Sequence, residues 1–248
     1  MATEAVCPKC GGTGFVIIER ANVSGAQPCE CRAQGRASRL EEKAQIPGLY
    51  RNASFENFAI TSPELRTTVM AVKKFADDFP NESRPGLLLI GEPGTGKTHL
   101  AVAAMRRVVE KGFECLFSDY QNLLDRIRSG YDAASNSADK EAYRDALESE
   151  VLLLDDLGAH RVTDWVEDTI TSIITYRCNH RKALIATTNL PDPDAGSIVM
   201  QKTPMGTDYR RTLADHIGER ARSRLFEMCT VVRIRHTEDY RVRKARAF

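Results

Sequence analysis

The chain has 248 residues, 42% hydrophobic and 28% charged, and its 35 basic and 34 acidic side chains leave a net charge of +1. That length holds one large domain or one domain plus a small module, and the composition excludes gross disorder and fibrous classes. A charge this close to zero gives no argument for a polyanion partner, and no apolar run approaches the ~18 residues that cross a bilayer, so no membrane contact is expected.

In chain order, the first 31 residues hold four of the seven cysteines. Cys7 and Cys10 stand in a C-x-x-C and Cys29 and Cys31 in a C-x-C. No basic-then-apolar leader precedes them, so a cytoplasmic protein is expected. Disulfides are rare in that compartment, and clustered thiols there serve as metal ligands. Four thiolates make a closed structural zinc site, and the first pair has the usual knuckle spacing. Gly11, Gly12 and Gly14 supply the backbone angles such a knuckle needs. The rival reading is a redox pair, but no βαβ pattern surrounds it. Cys115, Cys178 and Cys229 are scattered singly and read as small buried hydrophobes.

Residues 32–45 are polar and charged, a solvated helix or linker, and Pro47-Gly48 punctuates it. The expected division is a zinc-binding module with its linker helix over 1–45 and an α/β domain over 46–248. Ser62 caps a helix that starts with Pro63 and runs on Val69, Val72 and Ala76. Strands and helices then alternate. Gly86–Ile90, Phe113–Ser118, Val151–Leu154, Ala183–Thr187 and Thr230–Ile234 are short apolar runs, as strands buried on both faces require. Helices are predicted over 98–111, over two polar stretches within 120–149, over 166–179 and within 207–226. Residues 191–206 read as a loop rich in Pro, Gly and Asp. Such alternation predicts a parallel sheet covered on both faces.

Between the first strand and its helix stands Gly91-Glu92-Pro93-Gly94-Thr95-Gly96-Lys97-Thr98. The spacing G-x-x-x-x-G-K-[ST] curls the backbone so that its N–H groups converge on phosphate oxygens. The helix that follows adds its dipole to the same anion. Lys97 is expected to reach the terminal phosphates and Thr98 to ligate Mg²⁺. The strand 151–154 delivers Asp155 and Asp156 to the carboxyl edge of the sheet, where ligands sit in open α/β folds. Asp155 is the expected outer-shell partner of Mg²⁺ and Asp156 the group that orients or deprotonates water. Asn189, just past the next strand, is placed to hold the same water or the γ-phosphate. From Arg220 onward basic residues outnumber acids, a solvated face or a polyanion contact.

The order GEPGTGKTH, VLLLDDLG, ATTN and GERARSRLFE, with the lead-in IPGLYRNASFENF, resembles the AAA+ ATPases of the DnaC/DnaI helicase-loader and IstB-like class over residues 46–235. The resemblance implies that Gly91–Thr98, with His99 beside it, is Walker A, that Asp155-Asp156 closes Walker B and that Asn189 is sensor 1. Arg224 matches the arginine finger that enters a neighbouring subunit's site, with Arg220 as second candidate. Homo-oligomerisation in the ATP-bound state follows from that. The rival for both arginines is a surface face paired with Glu219 and Glu227.

Walker B ends Asp-Asp where most of the superfamily has Asp-Glu, and the 14 residues after Ile234 are too few for the usual helical lid. Both features imply slow ATP turnover that depends on assembly or DNA. The class carries an extra helical element at the place of Tyr120–Tyr131. Arg126 and Arg128 are candidates for phosphates and Tyr120 or Tyr131 for base stacking. A packing helix on Leu123, Leu124 and Ile127 explains the same residues. The implied function is loading a replicative helicase onto single-stranded DNA, with ATP, Mg and Zn as cofactors. The zinc module would contact the helicase, with direct nucleic-acid contact as the alternative. The alternative is an IstB-like transposition helper acting on duplex DNA. Tyr50, Phe55 and Phe58 are candidates for the adenine.

Overall fold

A computed structural model describes residues 7–20, 23–131, 137–203, 206–235 and 239–246. It begins with an antiparallel hairpin of β1 (Phe15–Arg20) and β2 (Val23–Pro28), followed by α1 (Glu30–Lys43). Sequence periodicity did not predict the hairpin, because its second strand, VSGAQP, carries Gly, Ala and Pro, which have low strand propensity. The polar stretch 32–45 is helical through Lys43 but not wholly solvated. Leu40 packs on the core, Ala44 is buried, and the Phe117 N–H donates to the Ala44 carbonyl at 2.8 Å. Arg106 pairs with Glu41 at 2.9 Å, so α1 lies against the larger body.

Beyond a 3-10 turn at Gly48–Tyr50, α2 spans Pro63–Asp77, and the Ser62 hydroxyl accepts from the Leu65 N–H as the cap. The elements that follow are β3 (Gly86–Ile90), α3 (Lys97–Glu110), β4 (Cys115–Asp119), α4 (Tyr120–Gly130), α5 (Ser137–Glu148), β5 (Val151–Asp155), α6 (Asp164–Asn179) and β6 (Ala183–Thr188). A second hairpin, β7 (Met200–Thr203) and β8 (Gly206–Tyr209), leads to α7 (Leu213–Ile217), α8 (Glu219–Met228), β9 (Cys229–Arg233) and α9 (Tyr240–Arg246). The β7–β8 hairpin falls in the stretch read as loop and the start of a helix. Its polar strands, MQKT and GTDY, lack apolar alternation.

The predicted parallel sheet is present, with five strands in the order β4-β5-β6-β3-β9. Alternate strand residues feed two cores. Leu87, Leu89, Leu153 and Ile185 pack with α2 and α3, whereas Leu88, Ile90, Leu152 and Leu184 pack with residues of α4, α6, α7 and α8. Each such side chain contributes about 1.5–3 kcal/mol on burial, which is why these short runs need no polar face. Tyr120 is fully buried at the start of α4, so it is not available to stack on bases. Leu123, Leu124 and Ile127 are buried beside it, as the packing reading requires, whereas Tyr131 is exposed.

One buried cation fastens the second core. Arg177 on α6 is 0% exposed and donates to the carbonyls of Ala146, Leu147, Ser149, Glu150 and Ala183, tying the end of α5 to β5 and β6. Burial holds its guanidinium down at about 10, still charged at neutral pH. Replacing Arg177 with alanine leaves those carbonyls unsatisfied and is expected to cost roughly 3–5 kcal/mol of folding stability. Urea unfolding of Arg177→Ala tests this, and a loss below about 1 kcal/mol would contradict it.

Candidate nucleotide site and cysteine cluster

Chain reversal after β3 requires positive φ at Gly94 (73°) and Gly96 (87°). A Cβ on Gly96 would lie 2.5 Å from the Phe58 ring, and one on Gly94 would lie 2.0 Å from the Asp239 carboxylate. Only glycine fits either position. The loop is braced from within, since the Lys97 ammonium and the Thr95 hydroxyl both donate to the Glu92 carbonyl at 2.8 Å. The Gly91 N–H donates to the Thr188 carbonyl, fixing the loop to β6.

Asp155, the last residue of β5, is buried, and its Oδ1 accepts from Thr98 at 2.9 Å and from Thr187 at 2.6 Å. Burial raises its pKa, with the neighbouring Asp156 charge acting in the same direction and the two hydroxyls opposing. A buried carboxylate beside a hydroxyl, at the mouth of a phosphate loop, fits the hard oxygen donors that Mg²⁺ prefers. Asp156 sits at φ 54°, an uncommon left-handed position that aspartate tolerates. Its N–H donates to the Thr187 hydroxyl at 3.0 Å, and its Oδ1 accepts from Asn189 Nδ2 at 2.9 Å. The structure thus brings Lys97, Thr98, Asp155, Asp156 and Asn189 together.

Pro93 through His99, with Asp156 and Asn189, line a cleft of about 640 Å³, within the range of small-ligand sites. His99 is held by the Ser54 carbonyl at 2.8 Å and meets the Phe58 ring edge-on. Tyr50, Phe58, Leu49 and Leu65 give the cleft apolar lining; Phe55 packs on the core instead. Sequence reasoning missed Thr187 and the contribution of α9. Tyr240, Arg241, Arg243 and Lys244 also line the cleft, and the Tyr240 N–H donates to the Gly94 carbonyl at 3.1 Å. The basic excess after Arg220 was the visible signal. A cleft with this much positive charge suits a polyphosphate.

Arg220 and Arg224 do not line this cleft. Both lie on α8, Arg220 exposed in its first turn and Arg224 paired with Glu227 at 2.6 Å. Arg222, between them, is committed to Asp192 and Asp194 and rests over the Phe226 ring.

Burial pushes Lys97 down to about 8, with Arg241 adding to the fall and the charges of Asp156 and Asp155 opposing it. A triphosphate beside the ammonium favours its charged form. At pH 9 the nucleotide-free lysine has largely lost its proton, so nucleotide binding is expected to recapture about one proton there and about none near pH 6. Calorimetry in two buffers of different ionisation enthalpy measures this; identical heats at pH 9 would refute it.

The sulfurs of Cys7, Cys10, Cys29 and Cys31 all lie within 4.8 Å of one another. Cys7 and Cys29 are 3.9 Å apart and Cys10 and Cys31 3.5 Å, much longer than a disulfide. Four thiolates around Zn²⁺ at about 2.3 Å stand roughly 3.8 Å from each other, so the four residues fit that ion. Among the described residues no helix is long and apolar enough to cross a membrane.

Residues 27–247 match the family described as IstB-like ATP binding protein. The chain is 25% identical over 167 residues to the replicative helicase loader DnaC of Buchnera aphidicola subsp. Acyrthosiphon pisum (strain APS), a match covering 67% of this chain and 68% of that protein. A crystal structure of the DnaC helicase loader superposes with a TM-score of 0.63 at 30% identity, covering 76% of this chain and 100% of that one. A crystal structure of DnaI gives 0.59 at 18% identity over 81% of this chain and 99% of that one, a likeness of fold.

Proposed function

Because the chain belongs to the IstB-like ATP binding protein family, AAA+ proteins of the DnaC/DnaI type, we propose that it hydrolyses ATP slowly and uses its nucleotide state to deliver a replicative helicase onto single-stranded DNA. The observation that carries this reading is the 30% identity to a DnaC helicase loader whose whole resolved length this chain covers. In this reading Lys97 meets the terminal phosphates, and Thr98 and Asp155 would hold magnesium, which neutralises phosphate charge when bound with ATP. Asn189 holds one oxygen of Asp156, and the other orients the attacking water. The cysteine module, with zinc, is the helicase-facing part, and α4 with Tyr131 is the single-strand contact.

Pull-down of the cognate replicative helicase by the full chain, with and without ATP, tests the proposal. Nucleotide-dependent capture is the expected result, and no capture in either state would end it. A transposition helper on duplex DNA is the second reading, favoured by the IstB-like match itself. It expects instead ATP-dependent binding to duplex DNA and to a transposase.

A further inference from the structure

The acidic residue inside the phosphate loop has a partner from far outside the ATPase motifs. Arg210, just past β8, grips the Glu92 carboxylate with both terminal nitrogens, Nη1 to Oε1 at 2.8 Å and Nη2 to Oε2 at 3.3 Å. The grip is built on a fixed base. The Arg210 N–H donates to the Val199 carbonyl at 2.9 Å, closing the β7–β8 hairpin. Two residues on, Thr212 and Asp215 form the capping box of α7, and the Tyr209 hydroxyl donates to the same Asp215 carboxylate.

Glu92 is the residue around which the loop is wound, since its carbonyl receives both Lys97 and Thr95. Its carboxylate is also close enough for its charge to be felt at Lys97. A negative side chain in a loop that must accept a polyphosphate opposes the ligand unless it is neutralised. A bidentate arginine neutralises it and fixes its torsions, which a lysine does not do. Both partners are partly exposed, with side-chain exposures of 37% and 41%. Such a pair contributes little to folding stability, so its consequence falls on the loop.

We propose that Arg210 is a positioning residue for nucleotide binding, holding and neutralising Glu92 so that the loop stays shaped and charged for phosphate. This rests on the reading that the cleft binds ATP. It also makes the β7–β8 hairpin part of the nucleotide site, because whatever moves the hairpin loosens the loop.

Titration of the full chain with fluorescent ATP and ADP analogues tests it, alongside thermal unfolding. Arg210→Ala is expected to weaken both nucleotides alike, by about 5- to 30-fold, with an unchanged melting temperature. Arg210→Lys should recover part of the loss, and the charge swap Glu92→Arg with Arg210→Glu most of it. Equal affinity of wild type and Arg210→Ala would overturn the proposal. Loss confined to ATP would overturn it too, by making Arg210 a direct γ-phosphate contact. Lys97→Ala serves as the reference for a site that does not bind. Wild type binding no better than Lys97→Ala would overturn the ATP reading itself, whereas tight wild-type binding with an indifferent Arg210 would overturn only the inference.

Discussion

Replacing Arg224 with alanine is expected to lower ATP turnover of the assembled protein by ~10³–10⁵ while leaving nucleotide affinity unchanged. Arg224 does not line its own chain's cleft, so no loss of binding is expected within one subunit. Its guanidinium is 38% exposed and pairs with Glu227, one turn along α8, with Cys178 of α6 also beside it. An exposed pair of that kind is worth about 0–1 kcal/mol, so exchanging Glu227 for a neighbour's phosphate costs little. Of Arg220, Arg222 and Arg224, the middle one is tied into the fold. Arg222 is bound to the buried Asp192 carboxylate and holds the loop after β6 against α8.

The decisive measurement is a mixture. Asp156→Asn subunits keep the arginine but lack the carboxylate proposed to orient water, and Arg224→Ala subunits have the reverse defect. If the finger acts in trans, mixed assemblies contain interfaces with both parts intact, and activity returns on mixing two inactive preparations. No return, or equal loss with Arg220→Ala alone, would move the role away from Arg224.

How much of this was legible in the sequence depends on how local each signal is. The phosphate loop is contiguous, and its glycine spacing encodes its own curvature, so Gly91–Thr98 could be placed directly. The five sheet strands were readable because strands buried on both faces are continuous apolar runs. Thr187 was hidden because a threonine ending an apolar strand looks like any other; only the pairing of β5 beside β6 reveals its hydroxyl at Asp155. Arg210 was hidden for a similar reason, with 118 residues between it and Glu92. Arg177 sits in a stretch predicted simply as a helix, where an arginine is normally a solvent residue. Its burial follows from carbonyl groups at the end of α5 that no local pattern announces. Tyr120 was one of two stacking candidates beside a packing reading, and the choice was hidden because the strand-to-helix junction at Asp119 turns it inward.

The N-terminal module yields the other large effect. Cys10→Ser is expected to abolish zinc binding and unfold residues 7–31, with nucleotide affinity retained. The hairpin cannot hold itself together, since Ile17 is 75% exposed and Phe15 and Ile18 also face solvent. Two strands without a covered face are at best marginally stable in water. Zinc, by contrast, contributes ~10–16 kcal/mol in small modules of this kind. The ligands are partly prepared for it. The Gly14 N–H pulls Cys10 down to about 6, whereas the hydrogen bond between Cys31 and Cys10 pushes the Cys31 thiol up to about 12. Zinc must displace the protons that remain, so affinity falls as acid restores them. Metal content by atomic spectroscopy and limited proteolysis of 7–31 report the two halves of the prediction. A Cys10→Ser protein that keeps stoichiometric zinc and an intact module would show that the cluster is held by something other than its four sulfurs.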